Sequence, residues 1–153
     1  AMFAVPAGIL ASGFAEELRK RDFVVNWQSV ARVPLFAHLD ANAIAAVTQL
    51  LKPRSVSANQ AIVRRGDIGD SMYFIMEGEV EVDITPNPVR LKQGDFFGEI
   101  ALVESVPRTA TILSLTNCRL LVLETVDFER LTTQIPDLKD QIKRISDKRL
   151  SER

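Results

Sequence analysis

Between residue 54 and about residue 124 the chain repeats short apolar runs broken by turn residues. This pattern restricts the fold more than any other stretch. Val80, Val82 and Ile84 alternate with Glu81 and Asp83, the two-residue period of a strand with one buried and one wet face. Residues 72–76 form another such run, ended by Glu77-Gly78-Glu79. Gly66-Asp67-Ile68-Gly69-Asp70 and Pro86-Asn87-Pro88 are turn clusters, and Gly66, Gly78 and Gly94 read as turn residues only. Residues 109–115 and 118–124 read as a further pair across Thr116-Asn117. Many short strands at regular spacing predict a β-sandwich or jelly roll.

Helical signals flank this region. Residues 14–33 read as helix, with Phe23, Trp27 and Val30 on one apolar face and Pro34 as the stop. Asp40 is suited to cap a second helix that places Ile44, Val47 and Leu51 on one side and ends at Pro53. Beyond the strands, Asp127 to Leu131 opens a helix with Thr125 as its expected cap. Pro136 starts another that runs toward Leu150. There Leu138, Ile142, Ile145 and Arg149 share one face, so an apolar stripe continues into an arginine. The N-terminal residues 1–14 carry no charge and are too few to cross a bilayer alone. Charge arrives abruptly at Glu16-Glu17-Leu18-Arg19-Lys20-Arg21-Asp22, as it does past the cytoplasmic end of a membrane helix.

Composition narrows the function. The 153 residues suffice for one domain with a sizeable core and an appendage. A net charge of −1 gives no basic field for nucleic acid. Cys118 stands alone, which excludes an intrachain disulfide, and reads as a small buried hydrophobe. His38 is the only histidine and reads as structural or helix-capping. A histidine-clustered metal site of the cupin kind and a nucleophile–histidine arrangement both lack their residues. Glu77, Glu79, Glu81 and Asp83 read as a solvated turn and strand face. No enzyme activity and no cofactor are expected.

The chemistry concentrates in Phe96-Phe97-Gly98-Glu99-Ile100-Ala101-Leu102-Val103-Glu104-Ser105-Val106-Pro107-Arg108-Thr109-Ala110-Thr111. Gly98 opens a short helix whose free N–H groups favour an anion, and its missing Cβ permits close approach to the backbone. Arg108 offers a fixed charge and a donor fork matched to phosphate, and Thr109 adds a hydroxyl. Glu99 would repel a phosphate, but it can accept hydrogen bonds from sugar hydroxyls. A negatively charged, ribose-bearing small ligand fits this set.

This segment closely resembles the phosphate-binding cassette of cyclic nucleotide-binding domains. The glycine, the glutamate, the Pro-Arg-Thr-Ala run and the spacing from Glu99 to Arg108 all match. The resemblance runs from about Val33 to Arg153, and Val33-Pro34-Leu35-Phe36 resembles the family's helical elbow. It implies an α+β fold: a β-roll or jelly roll (double-stranded β-helix) with N-terminal linker helices, a short cassette helix and two C-terminal helices. The implied ligand is cyclic AMP, ahead of cyclic GMP. The implied contacts are Phe97, Gly98, Glu99, Ile100, Ala101, Arg108, Thr109 and Ala110, with Arg149 capping the base and Lys148 as its rival.

The N-terminal junction resembles the end of the inner pore helix in bacterial potassium channels of the voltage-gated-like superfamily. The implied layout is a truncated pore-lining helix at 1–14, linker and N-terminal helices at 15–52 and a β-roll at 53–124. The cassette occupies 96–111 of that roll, and C-terminal helices with a ligand lid occupy 125–153. The implied role is the cytoplasmic regulatory domain of a tetrameric, potassium-conducting channel at the bacterial inner membrane. Its partner is the pore domain of the same chain, and this stretch alone is expected to be monomeric or dimeric. A transcription factor would need a helix-turn-helix, for which no room is expected after Arg153. A kinase regulatory subunit would carry an inhibitory Arg-Arg-x-Ser segment, which is not found. A regulatory module of a non-channel protein and an orphan protein-interaction module without ligand are the alternatives.

Overall fold

A computed structural model describes the backbone of residues 25–151 and the side chains as far as Lys148. It contains a short helix α1 (Trp27–Ala31), a 3-10 turn (Pro34–Phe36) and α2 (Ala41–Leu50). Strands β1 (Lys52–Val56), β2 (Ala61–Val63), β3 (Ser71–Glu77), β4 (Glu79–Asp83), β5 (Val89–Lys92) and β6 (Phe96–Phe97) follow. Then come α3 (Glu99–Val103), β7 (Thr111–Ser114), β8 (Cys118–Glu124), α4 (Thr125–Gln134) and α5 (Pro136–Ser151).

The strands build two antiparallel sheets, ordered β1-β8-β3-β6 and β2-β7-β4-β5. The first is the middle layer of three. In β3, Ser71 to Ile75 are all buried, because both faces of the strand are covered. Met72 and Phe74 join the helices in one cluster with Val30, Phe36, Leu131 and Ile142. Tyr73 and Ile75 face the second sheet in another cluster with Val80, Phe97 and Leu120. The alternation of β8 is the same, with Leu121 and Leu123 toward the helices and Cys118 and Leu120 toward the sandwich. The second sheet has one wet face, so β4 alternates as its sequence does, with Val80 and Val82 buried.

Several boundaries differ from the sequence expectations. The helix predicted over 14–33 is, among the described residues, only α1. Asn26 is extended and its side chain accepts from the Ser29 N–H, which starts a new helix there. Residues 1–24, and with them Phe23 and the predicted pore-helix junction, lie outside the described residues. Trp27 does not share the buried face of Val30, since it is 61% exposed. Asp40 does cap α2, accepting from the Ala43 N–H at 2.7 Å. Leu51 is buried but extended, and Pro53 lies inside edge strand β1, where its missing N–H is tolerated.

The strands of 109–115 and 118–124 are not a hairpin. β7 and β8 belong to opposite sheets, and Thr116-Asn117 carries the chain from one to the other. Gly78 does the same between β3 and β4, with φ at +102° and Asn117 O 2.5 Å from where a Cβ would stand. Thr125 is the first residue of α4 rather than its cap. The capping position is Glu124, whose side chain makes no cap hydrogen bond. His38 caps no helix either. Its Nε2 lies 3.1 Å from Gln141 Nε2 and ties the N-terminal helices to α5. Among the described residues no helix is long and apolar enough to cross a membrane.

Candidate functional site

A cavity of about 300 Å³ lies between α3 and the second sheet. Its size is at the lower end for small-molecule sites. Phe97 borders it from the end of β6, and Gly98, Glu99, Ile100 and Ala101 from the turn into α3. Arg108, Thr109 and Ala110 border it from the segment that enters β7. The chain thus brings all eight predicted cassette residues to one concavity. The facing wall is apolar, from Val82, Ile84, Leu91 and Ile112, with the 85–88 turn at the rim. Together these walls offer an apolar surface beside a charged end, which suits a ring system carrying an anion.

Arg108 sets the electrostatics. It is 6% exposed, so its charge is held with little water. Nη1 donates to Gly98 O at 3.0 Å, and Nη2 donates to Ser71 Oγ at 3.4 Å. Asp70 Oδ1 lies 3.7 Å away, but that carboxylate is 83% exposed and only weakly offsets the buried cation. Its backbone is fixed as well. Arg108 N donates to Asp67 O at 2.8 Å and Gly66 N donates to Arg108 O at 2.9 Å, which pins the residue to the 66–70 turn. A buried guanidinium on a cavity wall favours an incoming anion.

Gly98 is required for two reasons. Its φ is +84°, a left-handed conformation that residues with a Cβ rarely adopt. A Cβ there would stand 2.8 Å from Arg108 Nη1 and 3.2 Å from Ser71 O. The glycine therefore makes room for the guanidinium. Glu99, buried at 4% exposure, occupies the first turn of α3, where the helix dipole favours a carboxylate. Behind the cassette, a Cβ on Gly69 would overlap Ala101 Cβ, so α3 sits directly on the 66–70 turn.

The helical wall is made by α5. Leu138 and Ile142 are buried as expected, but the next side chain on that face is Ser146, which is 7% exposed and lines the cavity. Ile145, predicted for the stripe, is turned out and 37% exposed. The spacing i, i+4, i+8 from Leu138 contains Ser146, and its small polar side chain gave no apolar signal. The side chain of Arg149 lies outside the described residues, and Lys148 is exposed. Among the described residues no group of histidine, cysteine or carboxylate side chains could hold a metal ion.

Comparison with known proteins adds four findings. Residues 53–134 match the family described as the cyclic nucleotide-binding domain. The chain is 47% identical over 143 residues to a cyclic nucleotide-gated potassium channel of Rhizobium etli, covering 94% of this chain and 40% of that protein. It is 44% identical over 148 residues to a putative potassium channel protein of Rhodopseudomonas palustris, covering 94% and 36%. The chain thus spans well under half the length of these curated relatives. Among solved structures, PKAR CBD2 bound to Sp-2Cl-cAMPS superposes with a TM-score of 0.72 at 26% identity, covering 88% of this chain and 92% of that one.

Proposed function

The chain belongs to the cyclic nucleotide-binding domain family, and from that premise we propose that it binds cyclic AMP in preference to cyclic GMP in the cavity beside α3. The observation that carries the reading is Arg108, a buried guanidinium on the cavity wall. The cyclic phosphate docks on Arg108, the ribose hydroxyl donates to Glu99, and the base lies against Val82 and Ile84. Thr109, exposed at the rim, adds a hydroxyl on the phosphate side. Arg149 closes over the base from the last turns of α5. The preference for cyclic AMP draws support from the cyclic AMP analogue carried by PKAR CBD2 in the structure named above.

We further propose that the domain regulates an ion channel, conducting potassium, from the cytoplasmic face of the membrane in a tetramer. The similarity to potassium channels supports this reading. So does the packing, because Leu102 of α3 belongs to the same buried cluster as Val30, Phe36, Val47 and Ile142. A ligand that holds α3 and α5 together therefore acts on the side chains that seat α1 and α2. It shifts that arrangement only by its difference in affinity between the open and closed forms.

Titration calorimetry with cyclic AMP, cyclic GMP and 5′-AMP tests the ligand. Cyclic AMP is expected to bind most tightly and 5′-AMP far more weakly, since its second phosphate charge exceeds what the single Arg108 guanidinium matches. Absence of binding by either cyclic nucleotide to folded, nucleotide-free protein would sink the reading. A protein-interaction module would then lead.

A further inference from the structure

A hydrogen-bonded chain behind the cavity wall ends on the Arg108 guanidinium, and its two middle members do not border the cavity. Arg108 Nη2 donates to Ser71 Oγ over 3.4 Å. Ser71 Oγ also lies 3.1 Å from Asp70 Oδ1 and 3.2 Å from Tyr73 Oη. Arg54 Nη1, from β1, donates to Tyr73 Oη over 3.3 Å. Ser71 and Tyr73 are 4% and 5% exposed, and two buried hydroxyls carry a desolvation cost unless they are bonded.

The proton count fixes the direction of the chain. An exposed carboxylate only accepts, so the single hydroxyl proton of Ser71 goes to Asp70. Tyr73 must then donate to Ser71 Oγ. That oxygen accepts from Tyr73 and Arg108 with its two lone pairs, and the Tyr73 oxygen accepts from Arg54. Every donor named here has one acceptor, and Ser71 is saturated. The Tyr73 ring is held too, stacked on Phe97 with centroids 5.0 Å apart and planes 16° apart. The guanidinium carbons of Arg54 and Arg108 lie 5.8 and 5.9 Å from its centroid. Phe97 and Arg108 border the cavity, so one tyrosine fixes two of its wall residues.

We infer that Ser71 and Tyr73 are positioning residues for Arg108, holding its guanidinium at the cavity wall in the orientation that receives a ligand phosphate. The inference rests on the cyclic nucleotide reading for its functional half. Its structural half stands without a ligand.

Tyr73→Phe keeps the ring stack and removes only the hydroxyl, so it is the decisive variant. Ser71→Ala removes the direct partner of Arg108. Two measurements are made on each: calorimetric titration with cyclic AMP, and exchange of the Arg108 Nε proton with water, followed by nitrogen-15 NMR in the unliganded protein. Tyr73→Phe is expected to weaken binding about threefold to tenfold, the effect of one hydrogen bond. It should also speed the Arg108 exchange at least threefold, with Ser71→Ala larger in both. Affinity within twofold of the parent overturns the inference. So does weaker binding with unchanged Arg108 exchange, because the loss would then reflect a loosened sheet. If the parent protein binds no cyclic nucleotide, the function reading fails, while the exchange rates still decide whether the hydroxyls hold Arg108.

Discussion

Replacing Gly98 by alanine separates backbone strain from the role of the cavity wall. The new Cβ meets two costs. The φ of +84° puts a residue with a Cβ in the left-handed region, which costs about 1–2 kcal/mol. The Cβ also stands 2.8 Å from Arg108 Nη1, too close for both to stay, and 3.2 Å from the fixed Ser71 carbonyl. The guanidinium is the part that can move, and moving it breaks its 3.0 Å bond to Gly98 O. Gly94→Ala is the control. Its φ is +95°, but its nearest contact would be Pro34 at an ordinary 3.5 Å. Both variants should lose about 2–8 °C in thermal midpoint, given 2–4 °C per kcal/mol at this chain length. Only Gly98→Ala should also weaken cyclic AMP binding, by at least about fivefold in calorimetry, toward the limit set by losing a charged hydrogen bond. Equal affinities in the two variants would refute the claim that Gly98 exists to seat Arg108.

Further outcomes follow from the same geometry. Arg108→Ala should cost about 1.5–3 kcal/mol of binding, roughly 10- to 150-fold in affinity by titration, because it deletes the buried cation of the cavity. Gly69→Ala should destabilise the fold by about 1–3 kcal/mol in denaturant unfolding through overlap with Ala101, and Ala101→Gly in the same chain should restore at least half of that. Burial pushes the Cys118 thiol above its ordinary value, so in the folded chain it stays protonated where an unfolded chain ionises. Its contribution to stability should therefore fall as pH rises past 9.0, and its alkylation at pH 8 should be much slower than in denatured protein. A Cys118→Ala variant with the same alkaline loss of stability would show that other groups cause it.

The cassette was legible because its chemistry is local. Gly98, Glu99 and Arg108 lie within eleven residues, so their spacing can be read directly from the sequence. The strands with one wet face, such as β4, were legible from alternation. The buried strands β3 and β8 were legible as apolar runs, but their partners were not. Thr116-Asn117 reads as a hairpin turn, and only packing shows that it crosses between sheets. Ser146 was missed for a related reason. A serine on an amphipathic helix gives no signal of its own until the helix is docked and its rotation is known.

The sequence by itself determined the strand and helix grammar and the glycine–glutamate–arginine spacing of the cassette. These follow from side-chain type, period and short-range spacing. Tertiary structure decided which sheet each strand joins, which face of α5 meets the cavity, and that Ser71 and Tyr73 stand behind Arg108. The last pairing joins residues 37 positions apart through Ser71 and reaches Arg54 two strands away in the same sheet. No periodicity encodes such a contact. It exists because β1, β8 and β3 lie side by side in one sheet and because buried hydroxyls must find partners there.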